Sequence, residues 1–166
     1  MQGKVKILLL DAQGTTLAER HSKNSVMRGG GELIAKLFAG QGSAITHMGV
    51  GTSAAETPND FSLAALQNEA VGETPALTGS TDVELPAGAF AIAVDGEKRL
   101  VTVKVRGTLP NDSAVGTIRE AGLLSKSEAG IVLYNRVIFA PLTKGNDHEL
   151  TLFWEVSFPY GDLQWF

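Results

Sequence analysis

The chain has 166 residues, 43% of them hydrophobic and 19% charged, which supplies one domain with a sizeable core and leaves too little for two domains of ordinary size. A formal charge of -4 and a pI near 5.3 give nucleic acid no overall electrostatic attraction, so no nucleic-acid partner is expected. With no cysteine, disulfides and thiolate metal sites are excluded.

The opening MQGKVKILLLDAQG carries two lysines, but its uninterrupted apolar run covers only residues 7–10. That is short of a signal-peptide core, and no later run approaches a membrane span, so a soluble product of the cytoplasm without a membrane partner is expected. Residues 4–10 read as a first strand, 11–14 as its turn and 15–19 as an antiparallel return. The period then changes. Leu33, Ile34, Leu37 and Phe38 gather on one face of an amphipathic helix over 32–39, preceded by Gly29, Gly30 and Gly31. Glu32 is placed in its first turn, where a carboxylate suits the dipole, and Gly40 and Gly42 are its stops. Such a helix covers a sheet edge or face. Residues 44–50 read as a strand ending in GVGT, a glycine-rich turn whose geometry glycine adopts cheaply.

Residues 51–88 are rich in Ala, Thr, Ser, Gly and Pro and read as long loops with a short helical candidate at 63–69. Loops of this length inside a compact domain are uncommon and often functional, which makes the region, with Phe61 and Leu63, a candidate contact surface. Phe90, Ile92 and Val94 alternate up to the turn Asp95-Gly96, and Val101, Val103 and Val105 alternate after it, predicting a hairpin. Leu150, Leu152, Trp154, Val156 and Phe158 also fall on every second position, with only Phe153 breaking the polar side. The segment KGND at 144–147 tolerates positive φ, so 131–139 and 150–158 are predicted to be the two arms of a second hairpin, with Trp154 and Phe158 in the core. The fold expected is mainly β: an antiparallel β-sandwich-like single domain over residues 1–166, with one amphipathic helix near the N-terminus. Its last residues, 159–166, form an aromatic tail. Tyr160, Trp165 and Phe166 there are candidate protein contacts, either folded back on their own domain or anchored in a neighbouring subunit.

Motifs that carry chemistry are few. His21, His47 and His148 are isolated, without a second ligand at HxxxH or HxH spacing, and a closed zinc site needs about four ligands. In Asp147-His148-Glu149 an extended backbone puts the carboxylates on one face and the imidazole on the other, so a polar strand end is the better reading. The glycine runs complete neither GxxxxGK[ST] nor GxGxxG, and the serines include no GxSxG elbow. No catalytic residue, metal or cofactor is assigned. The sequon Asn111-Asp-Ser113 would matter only in a secreted eukaryotic protein.

Three blocks together carry a family resemblance: SVMRGGGELIAKLFAGQ at 25–41, ITHMGVGTSAAETPNDFSLAALQNEA at 45–70, and TIREAGLL with VLYNRVIFAPLTKGNDHELTLFWEVSF within 117–158. The positions matched are Gly49, Gly51, Thr52, Leu66, Glu69, Ile118, Glu120, Gly122, Leu123, Phe139, Pro141 and Lys144. As an ordered set the blocks resemble a group of bacteriophage virion proteins that includes the attachment domains at the base of tail fibres. No fibre shaft or repeat follows, which departs from that last type. The resemblance implies a non-enzymatic virion protein made in the cytoplasm of the bacterial host, a homo-oligomer whose partners are itself and other virion proteins. A tail, baseplate or connector component is the leading expectation. A capsid decoration protein and, from another class, a carbohydrate-binding β-sandwich module are the alternatives.

Overall fold

The computed structural model describes residues 2–161, and they fold as two packed antiparallel sheets with one helix. The elements are β1 (Gln2–Leu10), β2 (Thr16–Lys23), β3 (Ser25–Val26), α1 (Arg28–Phe38), β4 (His47–Gly51), β5 (Asp82–Glu84), β6 (Phe90–Asp95), β7 (Leu100–Leu109), β8 (Gly116–Ser127), β9 (Gly130–Leu133), β10 (Asn135–Lys144) and β11 (Glu149–Pro159). A single 3-10 turn at Ala87–Ala89 leads into β6.

Sheet 1 has the order β2-β1-β11-β7-β6. Its register sets Val5 against Trp154, Ile7 against Leu152 and Leu9 against Leu150, so the period-two apolar residues of β1 and β11 fall on one face. Sheet 2 has the order β3-β10-β8-β4-β5, with β9 beside the far end of β8. Met48 and Val50 of β4, Ala121 and Leu123 of β8 and Val137 of β10 face sheet 1, giving one continuous core with Trp154 only 1% exposed. Gly107 opens that core. A Cβ there would stand 2.7 Å from Met48 Sδ, so a larger residue on β7 would hold the two sheets apart.

The β1–β2 turn at 11–14 and the β6–β7 hairpin form where the sequence places them, with Gly14 at φ 81°. The predicted pairing of 131–139 with 150–158 does not. β10 pairs with β8 and β3 in sheet 2, β11 pairs with β1 and β7 in sheet 1, and residues 145–148 carry the chain from one sheet to the other. Turn residues license a change of direction. They do not oblige the flanking strands to pair, and β11, apolar enough to sit at the centre of a sheet, finds two other neighbours. The hairpin that forms in this part of the chain joins β8 to β9 through Glu128 and Ala129, with Gly130, at φ 121°, opening β9 opposite Ser127. Between Ile138 and Leu142 the register with β8 shifts, a bulge that accommodates Pro141, which has no N–H to give the ladder.

The helix begins earlier than its apolar period predicts. Gly29, Gly30 and Gly31 lie inside it, Glu32 falls beyond its first turn, and no acidic residue occupies that turn. Gly30 is there for space, because a Cβ would overlap the backbone carbonyl of Tyr134 on which the helix rests. Leu33 is buried and Ile34 packs on the core, while Phe38, expected on the same face, is 96% exposed. The stop at Gly40 is as read. Gly40 N–H donates to Leu37 O and Gln41 N–H to Lys36 O, with Gly40 at φ 71°, a Schellman ending.

Candidate functional site

Gly49 and Gly51 are not a turn. Both belong to β4, neither has positive φ, and with Gly122 of β8 they make a stripe on the face of sheet 2 turned away from the core. Their register pairs Gly49 with Gly122 and Gly51 with Glu120. Without side chains at these points, the segment following β4 can lie directly on the sheet. A Cβ on Gly51 would overlap Glu120 Oε1 and approach Gln67 O, and one on Gly49 would stand 3.1 to 3.2 Å from Leu124 and Leu66.

This segment forms a third layer, and a buried ion pair fastens it. Glu120 is 0% and Arg136 3% exposed, and Arg136 Nε donates to Glu120 Oε2 at 2.5 Å. The other carboxylate oxygen, Oε1, accepts the Gln67 N–H at 2.7 Å. Arg136 Nη1 donates to Ala55 O at 2.8 Å and to Thr57 Oγ1 at 3.1 Å, so a single guanidinium holds the carboxylate and the near arm of the loop. Thr52 closes the base: its Oγ1 donates to Glu69 O at 2.7 Å, and its N–H donates to Gln67 O at 2.8 Å. Farther along, the Asn68 amide takes the Leu77 N–H and donates to Leu77 O, imitating one rung of a strand pair. Leu63 and Leu66 pack under the loop against Met27, Leu124 and Leu133, a small second core. The helix predicted at 63–69 is therefore absent. Its backbone groups bond across to Thr52 and Glu120 instead of up their own turn, and the i, i+3 spacing of Leu63 and Leu66 serves an extended segment laid on a sheet.

The candidate contact residues separate. Leu63 is half-buried in the second core. Phe61 is 43% exposed with φ 52°, an uncommon conformation for a bulky side chain, held by Phe61 N–H to Pro58 O and Arg28 N–H to Phe61 O. Tyr160 is 41% exposed, its N–H bonded to Arg99 O, whereas Trp165 and Phe166 lie outside the described residues. A further exposed apolar pair escaped the sequence reading: Ile92 at 73% and Val94 at 69%. They sit on edge strand β6, opposite Val103 and Val101, where the inner face of sheet 1 extends past its cover. Phe158 lies on the same margin, packed on the core but not sealed within it, while Trp154 is fully enclosed.

The titratable groups do not assemble a reaction centre among the described residues. His21 meets Glu19 at the surface, and that hydrogen bond is the main cause lowering the Glu19 pKa. His47 meets Thr46, and His148 Nδ1 accepts the Gly145 N–H within the inter-sheet turn. No group of three His, Asp or Glu among the described residues could hold a metal ion. Lys144 is 1% exposed, donates to Asn111 O at 2.9 Å, and has its pKa lowered by burial, an effect opposed by Asp112, Glu149 and Asp147. Tyr134, also enclosed, has its pKa raised by burial to about 12. Compared with protein-family models, curated proteins and solved structures, the chain finds no match in any of the three.

Proposed function

We propose that this chain is a non-enzymatic structural subunit of a bacteriophage virion, a tail, baseplate or connector component that works as a multimer. One observation carries the reading. Of the twelve positions picked out by resemblance, seven, Gly49, Gly51, Thr52, Leu66, Glu69, Glu120 and Gly122, meet in the clamp that fastens the loop layer to sheet 2. The other five, Ile118, Leu123, Phe139, Pro141 and Lys144, belong to β8 and β10 of the same sheet. Self-assembly is supported by Ile92 and Val94, since exposed β-branched residues on an edge strand promote association unless covered.

The test is location on purified particles, by mass spectrometry and by gold-labelled antibody. Multiple copies on the tail or baseplate are expected. Label on the head would reassign the chain to capsid decoration, and its absence from particles would overturn the virion reading.

A further inference from the structure

The two broad faces of the molecule carry opposite charge. Residues 37–97 contain no lysine or arginine, although the chain has 14 in all, and they hold eight carboxylates. Glu56, Asp60, Glu69 and Glu73 among them are exposed in the loop layer beyond sheet 2, where the exposed cation Arg28, at the start of α1, stands next to Asp60. On the opposite side of the sandwich, the outer face of sheet 1 is basic. Its register lines up Lys23, Lys4, Glu155 and Lys104 in one row and His21, Lys6, Phe153 and Arg106 in the next. Lys6 approaches Glu19 at 3.6 Å and Lys104 approaches Glu155 at 4.0 Å, both exposed pairs of little strength, and Lys4, Lys23 and Arg106 have no carboxylate partner among the described residues. These rows border a groove of about 600 Å³ with Phe153 in its floor and the Arg106 guanidinium 5.6 Å from the Phe153 ring centroid.

From this complementarity we infer that the basic outer face of sheet 1 is the docking site for the acidic loop layer of a second copy of this chain. Phe61, displayed beside Asp60 by its strained backbone, supplies the apolar anchor for the groove. Because donor and acceptor faces lie on opposite sides of one molecule, the contact is heterologous: it closes into a ring or extends as a stack. The inference rests on the multimer reading above and names the surfaces that would make it.

The experiment is sedimentation velocity on the full chain. Wild type should self-associate reversibly, about tenfold or more weakly at about 500 mM than at about 50 mM NaCl. Lys104→Glu with Arg106→Glu should weaken association about a hundredfold, and so should Glu69→Lys with Glu73→Lys, all at exposed side chains whose reversal leaves the circular dichroism spectrum unchanged. Mixing the two variants should restore assembly, since each then meets an opposite charge on both faces. Failure to restore it, or a wild type that stays monomeric at low salt, overturns the inference, as does a DNA duplex occupying the basic face of a monomeric protein. A monomeric wild type that is nonetheless found on purified particles would remove this docking mode and leave the virion reading standing.

Discussion

Replacing Arg136 by Met tests whether the third layer is sealed. The change leaves the Glu120 carboxylate at 0% exposure with the Gln67 N–H as its remaining donor, and it releases Ala55 O and Thr57 from the guanidinium. Removing one partner of a buried pair costs about 3–5 kcal/mol, because the other charge stays behind without compensation. Set against the roughly 5–15 kcal/mol that holds a typical domain together, that is about a fifth of the stability or more. At about 2–4 °C per kcal/mol for a chain of this size, the midpoint of thermal unfolding should fall by about 6–20 °C. Adding Glu120→Gln to Arg136→Met should recover most of the loss, since no charge then remains in the dry layer while Gln67 keeps an acceptor. A second assay reads the loop itself. Trypsin has no site between residues 37 and 97, so a glutamate-specific protease is used, and cleavage after Glu56, Glu69 or Glu73 should accelerate in the single variant well below its melting temperature. If Arg136→Met lies within about 1 kcal/mol of wild type and the loop stays protected, water reaches Glu120 and the clamp is not what fastens the layer.

Two other outcomes follow from the same packing. Gly51→Ala should cost about 1–3 kcal/mol by urea unfolding, because the new Cβ meets the Gln67 carbonyl and the clamped Glu120, while Gly49→Ala, facing the mobile ends of Leu66 and Leu124, should cost less than about 1 kcal/mol; equal costs would contradict the role assigned to close backbone approach. Lys144 has a folded pKa below its unfolded value of 10.5, so in the window between the two the unfolded chain holds the extra proton and stability rises with pH. Wild type should therefore gain on Lys144→Met as pH climbs toward 10.5, and a difference independent of pH would refute the burial argument; Tyr134, whose raised pKa lowers stability above pH 10, is present in both proteins and cancels.

Local periodicity made most of the sandwich legible. The apolar segment at 4–10 and the alternation in Val101 to Val105 and in Leu150 to Val156 mark strands whichever neighbours they take, and Gly40 ends its helix through a motif only a few residues long. What stayed hidden depends on partners distant in sequence. The turn at 144–147 reads the same whether it closes a hairpin or joins two sheets. Gly30 and Gly51 look like turn formers because nothing local in the sequence shows that the Tyr134 carbonyl and the Gln67 carbonyl will lie against them. The candidate surface was visible only in outline: length and composition pointed to 51–88, yet Leu63 turns inward, Phe61 outward, and the basic face opposite appears only once β1, β7 and β11 are in register.

The clamp also decides what kind of surface the loop layer can be. A segment of this length without helix or strand would ordinarily be mobile, and immobilising it on binding would cost about 0.5–1.5 kcal/mol for each rotamer-rich side chain ordered. Here the ordering is done during folding. Thr52, Asn68, Glu120 and Arg136 fix the backbone at four points, and Leu63 and Leu66 fill the space beneath it. The carboxylates of Glu56, Glu69 and Glu73 are thus projected from a backbone already in place, so the basic face proposed to dock there would meet a formed surface and lose less of its binding energy to ordering. The buried pair and the acidic outer rim are in this sense one device: the charge hidden at Glu120 sets the position of the charges displayed above it.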